Sequence, residues 1–336
     1  FGTLSDTLGR KLTVYLGILI FVFGNLISFL AETYTILILG RLLQGFGAAA
    51  PKIVSQAIIK DLFSGPLMAQ VMSFVMTIFI IVPVIAPLIG QSIIWLVSWY
   101  YIFIILAFLS IFICFWFSIS VPETLKKSLP FGLKELTFAF FAICRNQTSL
   151  IYMLASGFIF GGLISFLNVA QPLYQNVFGV GDHFPFYFAF TALLIGLSSF
   201  INTKIISKIG AKTIVTYALL WIWCWSALFM IIERYLTDLG LIGFLLFSAL
   251  VFTAFGFLFG NINAIALNPM GHIAGNASAI IGTSTNIIAV TIGAISNSYF
   301  QSDSLSLIVT FFLIATINLF IVFRAGELWL KPHFTM

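Results

Sequence analysis

The first eleven residues hold the charged side chains whose spacing is best suited to chemistry. In the stretch GTLSDTLGRK, residues 2–11, Asp6 lies four residues before Arg10, Gly2 precedes the pair and Gly9 lies between its two members. Arg10 can form an ion pair with a carboxylate, and Asp6 can lie against the positive N-terminal end of a neighbouring helix. Glycine lets the backbone turn tightly between helices. We expect a compact polar loop in which Asp61 is the partner of Arg10; the alternative is a solvated loop.

A second group of polar residues lies within an apolar stretch. Arg41, Gln44, Gly45, Ala48 and Lys52 fall on one stripe of a helix with 3.6 residues per turn. An arginine inside a membrane span is costly unless it faces a wet cavity or a partner. The alternative is that Arg41 reaches the membrane surface with its long side chain, and Lys52 is open to the same interpretation.

The composition determines which elements must hold these residues. The chain is 61% hydrophobic and 7% charged, with a mean hydropathy of +1.15, whereas soluble domains are about 25% charged. Residues 62–122 and 146–181 contain no Asp, Glu, Lys or Arg. An apolar helix of about 20 residues spans a bilayer, and a membrane β-barrel would instead show short alternating segments. We therefore predict an all-α polytopic membrane protein.

Ten membrane-spanning helices are predicted from the windows of low charge. They lie near residues 12–30, 35–58, 66–90, 99–120, 148–172, 184–203, 213–232, 239–266, 275–299 and 304–323.

Lysine and arginine are distributed asymmetrically between the two sides of these spans. Twelve of the 15 cations fall on the side that holds Arg10, and the opposite side holds only Arg234. Positively charged loops stay in the cytoplasm. Both ends of the chain are therefore predicted to be cytoplasmic.

The longest break, 121–147, divides four spans from six. We predict an N-terminal bundle over 1–120, a cytoplasmic linker over 121–147 and a C-terminal six-helix bundle over 148–336. The linker could contain an amphipathic interfacial helix with one apolar face. That face would hold Leu133, Leu136, Phe140 and Phe141.

The opening stretch resembles the signature loop of the major facilitator superfamily, Gly-x-Leu-Ala-Asp-Arg-x-Gly-Arg-Lys. The matching residues are Gly2, Leu4, Asp6, Gly9, Arg10 and Lys11. In that family the loop joins the second and third of twelve helices on the cytoplasmic side. The resemblance implies a two-bundle major facilitator fold with about ten of twelve helices present and the first two missing. It also implies that Asp6 faces the start of the helix near Gly275 and that the loop, with Gly9, Lys11 and Asp61, latches the outward-facing state.

Two further motifs resemble drug:proton antiporters of the superfamily. Arg41, Gln44, Gly45 and Gly47 match the fourth-helix pattern, whose arginine takes part in proton coupling in those proteins. VPVIAPLIGQ, residues 82–91, resembles the fifth-helix pattern and is closest to the bicyclomycin/chloramphenicol-resistance branch. The gating residues would be Pro83, Pro87 and Gly90, and the prolines should kink this helix; an ordinary proline kink is the alternative.

Polar residues within the spans are the candidates for a substrate cavity between the bundles, as in other transporters of this fold. They include Asn25, Gln44, Gln56, Asn168, Gln171, Asn261, Asn263 and Asn286. None of the ten acidic residues is predicted deep in a span. We therefore expect the proton-carrying carboxylate on the missing first helix, and we expect residues 1–336 alone not to transport.

These observations favour a multi-pass transporter of the bacterial inner membrane that exports small amphiphilic drugs in exchange for protons by alternating access. A nutrient uptake carrier and an inactive truncated fragment are the alternatives. No catalytic motif of an enzyme, metal-ligand pattern or cofactor motif occurs. The basic residues are scattered singly, which does not favour a nucleic-acid partner. The expected partners are a small molecule, protons and lipid, and the expected state is a monomer.

Overall fold

The computed structural model describes residues 1–63, 71, 75, 82, 85–125, 133–235, 239–299 and 303–324. Within these ranges the chain is helical and contains no strand. The elements are α1 Gly2–Leu8, α2 Arg10–Phe29, α3 Tyr34–Leu62, α4 Ile85–Leu96, α5 Tyr101–Ser120, α6 Leu133–Arg145, α7 Gln147–Pro172, α8 Phe184–Ile209, α9 Ala211–Tyr235, α10 Gly240–Leu267, α11 Ala274–Ser298 and α12 Ser304–Arg324.

Nine helices of this described part are long and apolar enough to cross a membrane. They correspond to nine of the ten predicted spans, with ends that agree to within a few residues, so the all-α membrane fold is confirmed. Most of the predicted span at 66–90 lies outside the described residues. Its described end belongs to α4, which continues to Leu96.

The chain forms two compact units. The first comprises Phe1–Phe79 and Leu88–Leu133, and the second comprises Ile80–Pro87 and Lys134–Met336. The division into 1–120, 121–147 and 148–336 stays a prediction.

In the first unit, α2 and α3 cross so closely that only glycine fits at the contact. Gly17 and Gly24 on α2 face Gly47 and Gly40 on α3, and both pairs are spaced by seven residues. A methyl group built on Gly24 would lie 2.6 Å from the backbone nitrogen of Gln44. Small residues at such a crossing let two membrane helices pack backbone to backbone. Helix α5 also packs against α2.

The second unit is built around α7 and α10. Helix α7 packs against α10, α11 and α12, and α10 also contacts α8 and α9. Phenylalanines fill the centre of this unit. The ring centroids of Phe166 and Phe252 are 4.5 Å apart, and those of Phe255 and Phe311 are 5.8 Å apart. Edge-to-face pairs of this kind add to the energy of simple burial.

The predicted linker helix is present as α6. Ala139 and Ile143 are fully buried, whereas Phe140 and Phe141 are 46% and 60% exposed. Only Asn146 separates α6 from the membrane-spanning α7, and its side chain caps α7 by accepting the Ser149 N–H at 3.0 Å. The position of α6 at the membrane surface stays a prediction.

Candidate functional site

Arg10 is the centre of a polar cluster at one end of the first unit. Its Nε donates to Asp61 Oδ2 at 2.9 Å, and its Nη1 donates to Asp6 Oδ1 at 2.5 Å and to Ser5 Oγ at 2.7 Å. The Arg10 side chain is 8% exposed, against 39% for Asp6 and 25% for Asp61. The predicted pairing of Arg10 with Asp61 is therefore present, and Asp6 supplies a second carboxylate. A guanidinium suits this arrangement because it offers a fixed fork of donors.

The chain that follows α5 completes this Arg10 cluster. Glu123 Oε1 accepts the backbone N–H of Arg10 and Oε2 accepts that of Lys11, both at 3.0 Å. Thr124 Oγ1 donates to Asp61 Oδ2 at 3.0 Å. The carboxylate of Glu123 thus occupies the N-terminus of α2, where free N–H groups and the helix dipole favour an anion.

Gly9 makes room for that carboxylate. Its φ of 102° lies in the region that disfavours side chains, and a methyl group built on it would be 3.0 Å from Glu123 Oε2. Lys11 extends the contact between the same two segments, since its Nζ donates to the Ser118 carbonyl at 2.8 Å.

The pKa of Glu123 is lowered by the balance of two opposing effects. Partial burial raises its pKa, while hydrogen bonds from the backbone N–H groups of Leu125, Lys11, Arg10 and Thr124 lower it by a larger total amount. Glu123 therefore stays ionised on the positive end of α2 below the pH at which an ordinary glutamate takes up a proton.

Arg41 lies far from this cluster. It is twenty residues from Asp61 on the same helix, which corresponds to about 30 Å at 1.5 Å per residue. Its Nη1 donates to Gln44 Oε1 at 2.8 Å, and its Cζ lies 5.9 Å from the centre of the Phe103 ring. Gln44 Nε2 in turn donates to Asn25 Oδ1 at 2.6 Å. The predicted site residues therefore form two separate groups in the first unit.

The predicted cavity residues have different environments. Gln44 and Asn261 are 4% and 1% exposed, and their place in a substrate cavity stays a prediction. Asn261 Nδ2 donates to Asn202 Oδ1 at 2.9 Å across the α8–α10 contact. Asparagine side chains often form such hydrogen bonds between neighbouring membrane helices.

The remaining cavity candidates are more accessible. Asn263 is exposed and Gln56 is half-buried. Asn168 Nδ2 donates to the Gly293 carbonyl at 3.3 Å, and Gln171 Nε2 donates to Gln175 Oε1 at 3.1 Å. A groove of about 560 Å³ in the second unit, between α7, α11 and α12, is lined by none of these candidates.

The gating candidates are only partly described. Pro83 lies outside the described residues. Pro87 is half-buried in α4, and a methyl group built on Gly90 would meet no atom within 4 Å. Their gating role stays a prediction, as does the contact of Asp6 with the helix near Gly275.

Comparison with known proteins decides the family. The model of the Major Facilitator Superfamily matches residues 1–294. The chain belongs to this superfamily. It is therefore a multi-pass membrane transporter of small molecules rather than an enzyme.

Relatives within the superfamily include proteins named for drug resistance. A bicyclomycin resistance protein homolog of Haemophilus influenzae is 27% identical over 305 residues, which cover 90% of this chain and 75% of that protein. The uncharacterized MFS-type transporter YdgK of Bacillus subtilis is 27% identical over 84% of this chain and 71% of its own length. The quinolone resistance protein NorB of Staphylococcus aureus is 28% identical over 38% of this chain and 27% of NorB.

A solved superfamily structure shares the fold. The xylose transporter XylE of E. coli, in a partially occluded inward-open conformation, superposes with a TM-score of 0.70 over 96% of this chain and 83% of XylE, at 12% identity. The predicted resemblance to the superfamily and its fold is thereby confirmed.

Sequence reasoning missed several residues of the candidate site. The sequence places Glu123 and Thr124 only within the predicted linker, although an acidic residue directly after a span, on the same predicted side as Arg10, is a usable signal. Gly17, Gly24 and Gly40 were also missed, and their spacing of seven residues was visible in the sequence.

Proposed function

We propose that this superfamily member exports small amphiphilic drugs in exchange for protons by alternating access. The observation that carries the proposal is the similarity, over 90% of the chain, to a protein named for bicyclomycin resistance. A shorter similarity to a quinolone resistance protein supports the same class of substrate. Both termini of the chain would be cytoplasmic, in the bacterial inner membrane, and the transporter would work as a monomer.

In this proposal the Arg10 cluster is the conformational latch. Its guanidinium is shared between Asp6 and Asp61 within the first unit. In the switched state, loss of Asp6 as a partner would leave Arg10 with Asp61 as its remaining carboxylate. Because Arg10 is nearly buried, redistribution of its partners has an energetic cost, which suits a switch between two states.

Arg41 is the second functional group in the proposal. It is a permanent cation inside a membrane span, supported by Gln44 and Phe103. Such residues are expensive in the membrane and mark ion or proton pathways. Arg41 would lower the affinity of a nearby carboxyl group for its proton and thereby couple proton uptake to substrate release.

The proposal is tested by resistance and by direction of transport. The complete reading frame is expressed in an efflux-deficient bacterial strain, and growth is measured with bicyclomycin and with norfloxacin, a quinolone. Inverted membrane vesicles then report drug uptake driven by a proton gradient, and dissipating the gradient should abolish it.

Arg41→Ala should remove resistance, whereas Arg234→Ala, at the end of α9, serves as the matched control and should retain it. Gradient-driven accumulation of a nutrient in whole cells, without any resistance, would instead identify an uptake carrier.

A further inference from the structure

A continuous chain of hydrogen bonds crosses from α3 to α2 in the first unit. Arg41 Nη1 donates to Gln44 Oε1 at 2.8 Å, Gln44 Nε2 donates to Asn25 Oδ1 at 2.6 Å, and Asn25 Nδ2 donates to the Phe21 carbonyl at 2.8 Å. This series of hydrogen bonds ends at a backbone carbonyl of α2, so the helix backbone anchors both amide side chains.

The direction of this chain is determined by its two ends. A guanidinium has donors and no acceptor, and a backbone carbonyl accepts only. Each amide between them has one oxygen that accepts and one nitrogen that donates. If either Asn25 or Gln44 were turned over, two donors or two acceptors would face each other. The orientations of both amides therefore follow from chemistry and do not depend on telling nitrogen from oxygen in the coordinates.

The surroundings hold the two amides in place. Asn25 is fully buried and Gln44 is 4% exposed. The adjacent Gly24 approaches Gly40 and Gln44 so closely that a methyl group built on it would lie 2.7 Å from the Gly40 carbonyl. This close approach of the helices is what brings the Gln44 amide within reach of Asn25. Arg41 has a second contact, the face of the Phe103 ring on α5, which attracts cations.

The other charged side chains of α1, α2 and α3 are distant from Asn25 and Arg41 along the helix axes. Arg10 and Lys11 are fifteen and fourteen residues before Asn25 on α2, and Lys52 is eleven residues after Arg41 on α3, which correspond to about 22, 21 and 16 Å of helix rise. The exposed Glu32 lies in the loop before α3, nine residues before Arg41. Helix α5 carries no charged residue, and its titratable side chains are Tyr101 and Cys114. The remaining charged groups of α1 and α3 are beyond Lys52 in the same direction; they are Asp6, Lys60 and Asp61.

We infer that Asn25 and Gln44 are positioning residues that aim the Arg41 guanidinium, with Asn25 acting only through Gln44. This inference deepens the proposed function and rests on it for its effect on transport. It also reassigns both amides, because their hydrogen-bonding groups are used in holding Arg41 and not in contacting substrate.

The first test reads the guanidinium directly and requires no transport. The chain has five arginines, so nitrogen-15 arginine labelling of the detergent-solubilised protein gives a spectrum that substitution of each arginine assigns. In the wild type, the hydrogen bond to Gln44 should slow rotation of the Arg41 guanidinium and separate its Nη signals. Gln44→Leu and Asn25→Leu should each merge them. Ser28→Ala, a buried polar position three residues further along α2, is the matched control and should leave them separate.

Asn25→Asp tests whether an acceptor for Gln44 at position 25 is sufficient to hold Arg41. A protonated aspartic acid has one O–H to donate to the Phe21 carbonyl and one oxygen to accept from Gln44, as asparagine does, whereas the ionised form has no donor. Because both forms accept from Gln44 Nε2, the Arg41 signals of this variant should stay separate, as in the wild type. Separate signals in Asn25→Leu, or merged signals in Asn25→Asp, would overturn the inference.

The second test measures transport in the inverted vesicles. Asn25→Leu should lower the maximal rate about tenfold with little change in the drug concentration at half-maximal rate, because positioning affects turnover rather than binding. Adding Asn25→Leu to Gln44→Leu should cause no further loss, and an additive loss contradicts action through Gln44. If the wild type moves no drug while the Arg41 signals behave as described, the proposed function fails and the positioning of Arg41 stands.

Discussion

Glu123 lies 113 residues after Arg10 in the sequence, yet its Oε1 accepts the Arg10 backbone N–H at 3.0 Å. The segment that follows α5 thereby caps the first turn of α2 and, through Thr124, also contacts Asp61 at the end of α3. Three helix ends of the first unit are joined by two consecutive side chains. The signature loop is therefore built from residues distant in sequence as well as from its own motif.

Replacing Glu123 by glutamine should make the protein less sensitive to acid. The pKa of Glu123 is lowered in the folded state, so its contribution to stability is present above its unfolded pKa of about 4.3 and is lost as the pH falls through the lower folded value. Thermal unfolding in detergent, followed from about pH 6 to pH 3, should show a smaller acid-induced loss for the variant than for the wild type. Glu32→Gln, in the exposed loop after α2, should keep the wild-type acid response. If the unfolding temperatures of the wild type and Glu123→Gln change in parallel with pH, the Glu123 carboxylate does not stabilise the N-terminus of α2.

Replacing Asp61 by asparagine should destabilise the first unit. The nearly buried Arg10 would lose its Nε carboxylate, and a buried charge that loses its partner costs several kcal/mol; with Asp61 25% exposed, we expect about 1–2 kcal/mol. The double variant Arg10→Gln/Asp61→Asn should lose less than the sum of the single losses, since neither charge is then left alone. The measurement is unfolding of the detergent-solubilised protein, and strict additivity of the two losses argues against the pair.

The glycine crossing gives a test with a control on the same helix. Gly47→Ala should cost about 1–3 kcal/mol, because the added methyl group overlaps the backbone of α2 at Phe21 and Gly17. Gly45→Ala, two residues earlier, meets no atom within 4 Å, and it should be neutral or stabilise the helix by up to about 1 kcal/mol. Unfolding temperatures of the two variants are compared, and equal values mean that α2 and α3 do not cross at this point.

Asn202 and Asn261, which pair in the second unit, should be coupled in their effects on the free energy of unfolding. Asn261→Leu leaves the Asn202 amide without its partner across the α8–α10 contact, and we expect a loss of about 0.6–1.7 kcal/mol. Asn202→Leu/Asn261→Leu should recover part of that loss, since two apolar side chains leave no amide unpaired. The readout is again unfolding in detergent. A double variant no more stable than Asn261→Leu would show that the amides do not depend on each other.

Part of the site could be predicted because its residues are close together in a sequence motif. Asp6, Gly9 and Arg10 stand together in the chain, and the pairing of Arg10 with Asp61 follows from charges at successive breaks on one side of the membrane. The sequence does not identify Glu123 as a partner, because counting spans gives the side of the membrane on which a loop lies and not the helix end that it contacts. That choice depends on the packing of α5 against α2.

The sequence by itself determined that this is a helical membrane protein of the superfamily and where nearly every described span begins and ends. It did so because a bilayer requires about 20 apolar residues for each crossing and places charges at the ends of spans. Only the tertiary structure decided which polar residues meet. Asn25 and Gln44 read like cavity residues in the sequence, and the glycine-mediated approach of α2 to α3 turns them toward each other and Arg41. Polarity can be read from composition, but the partner of a polar group is set by the distance between helices.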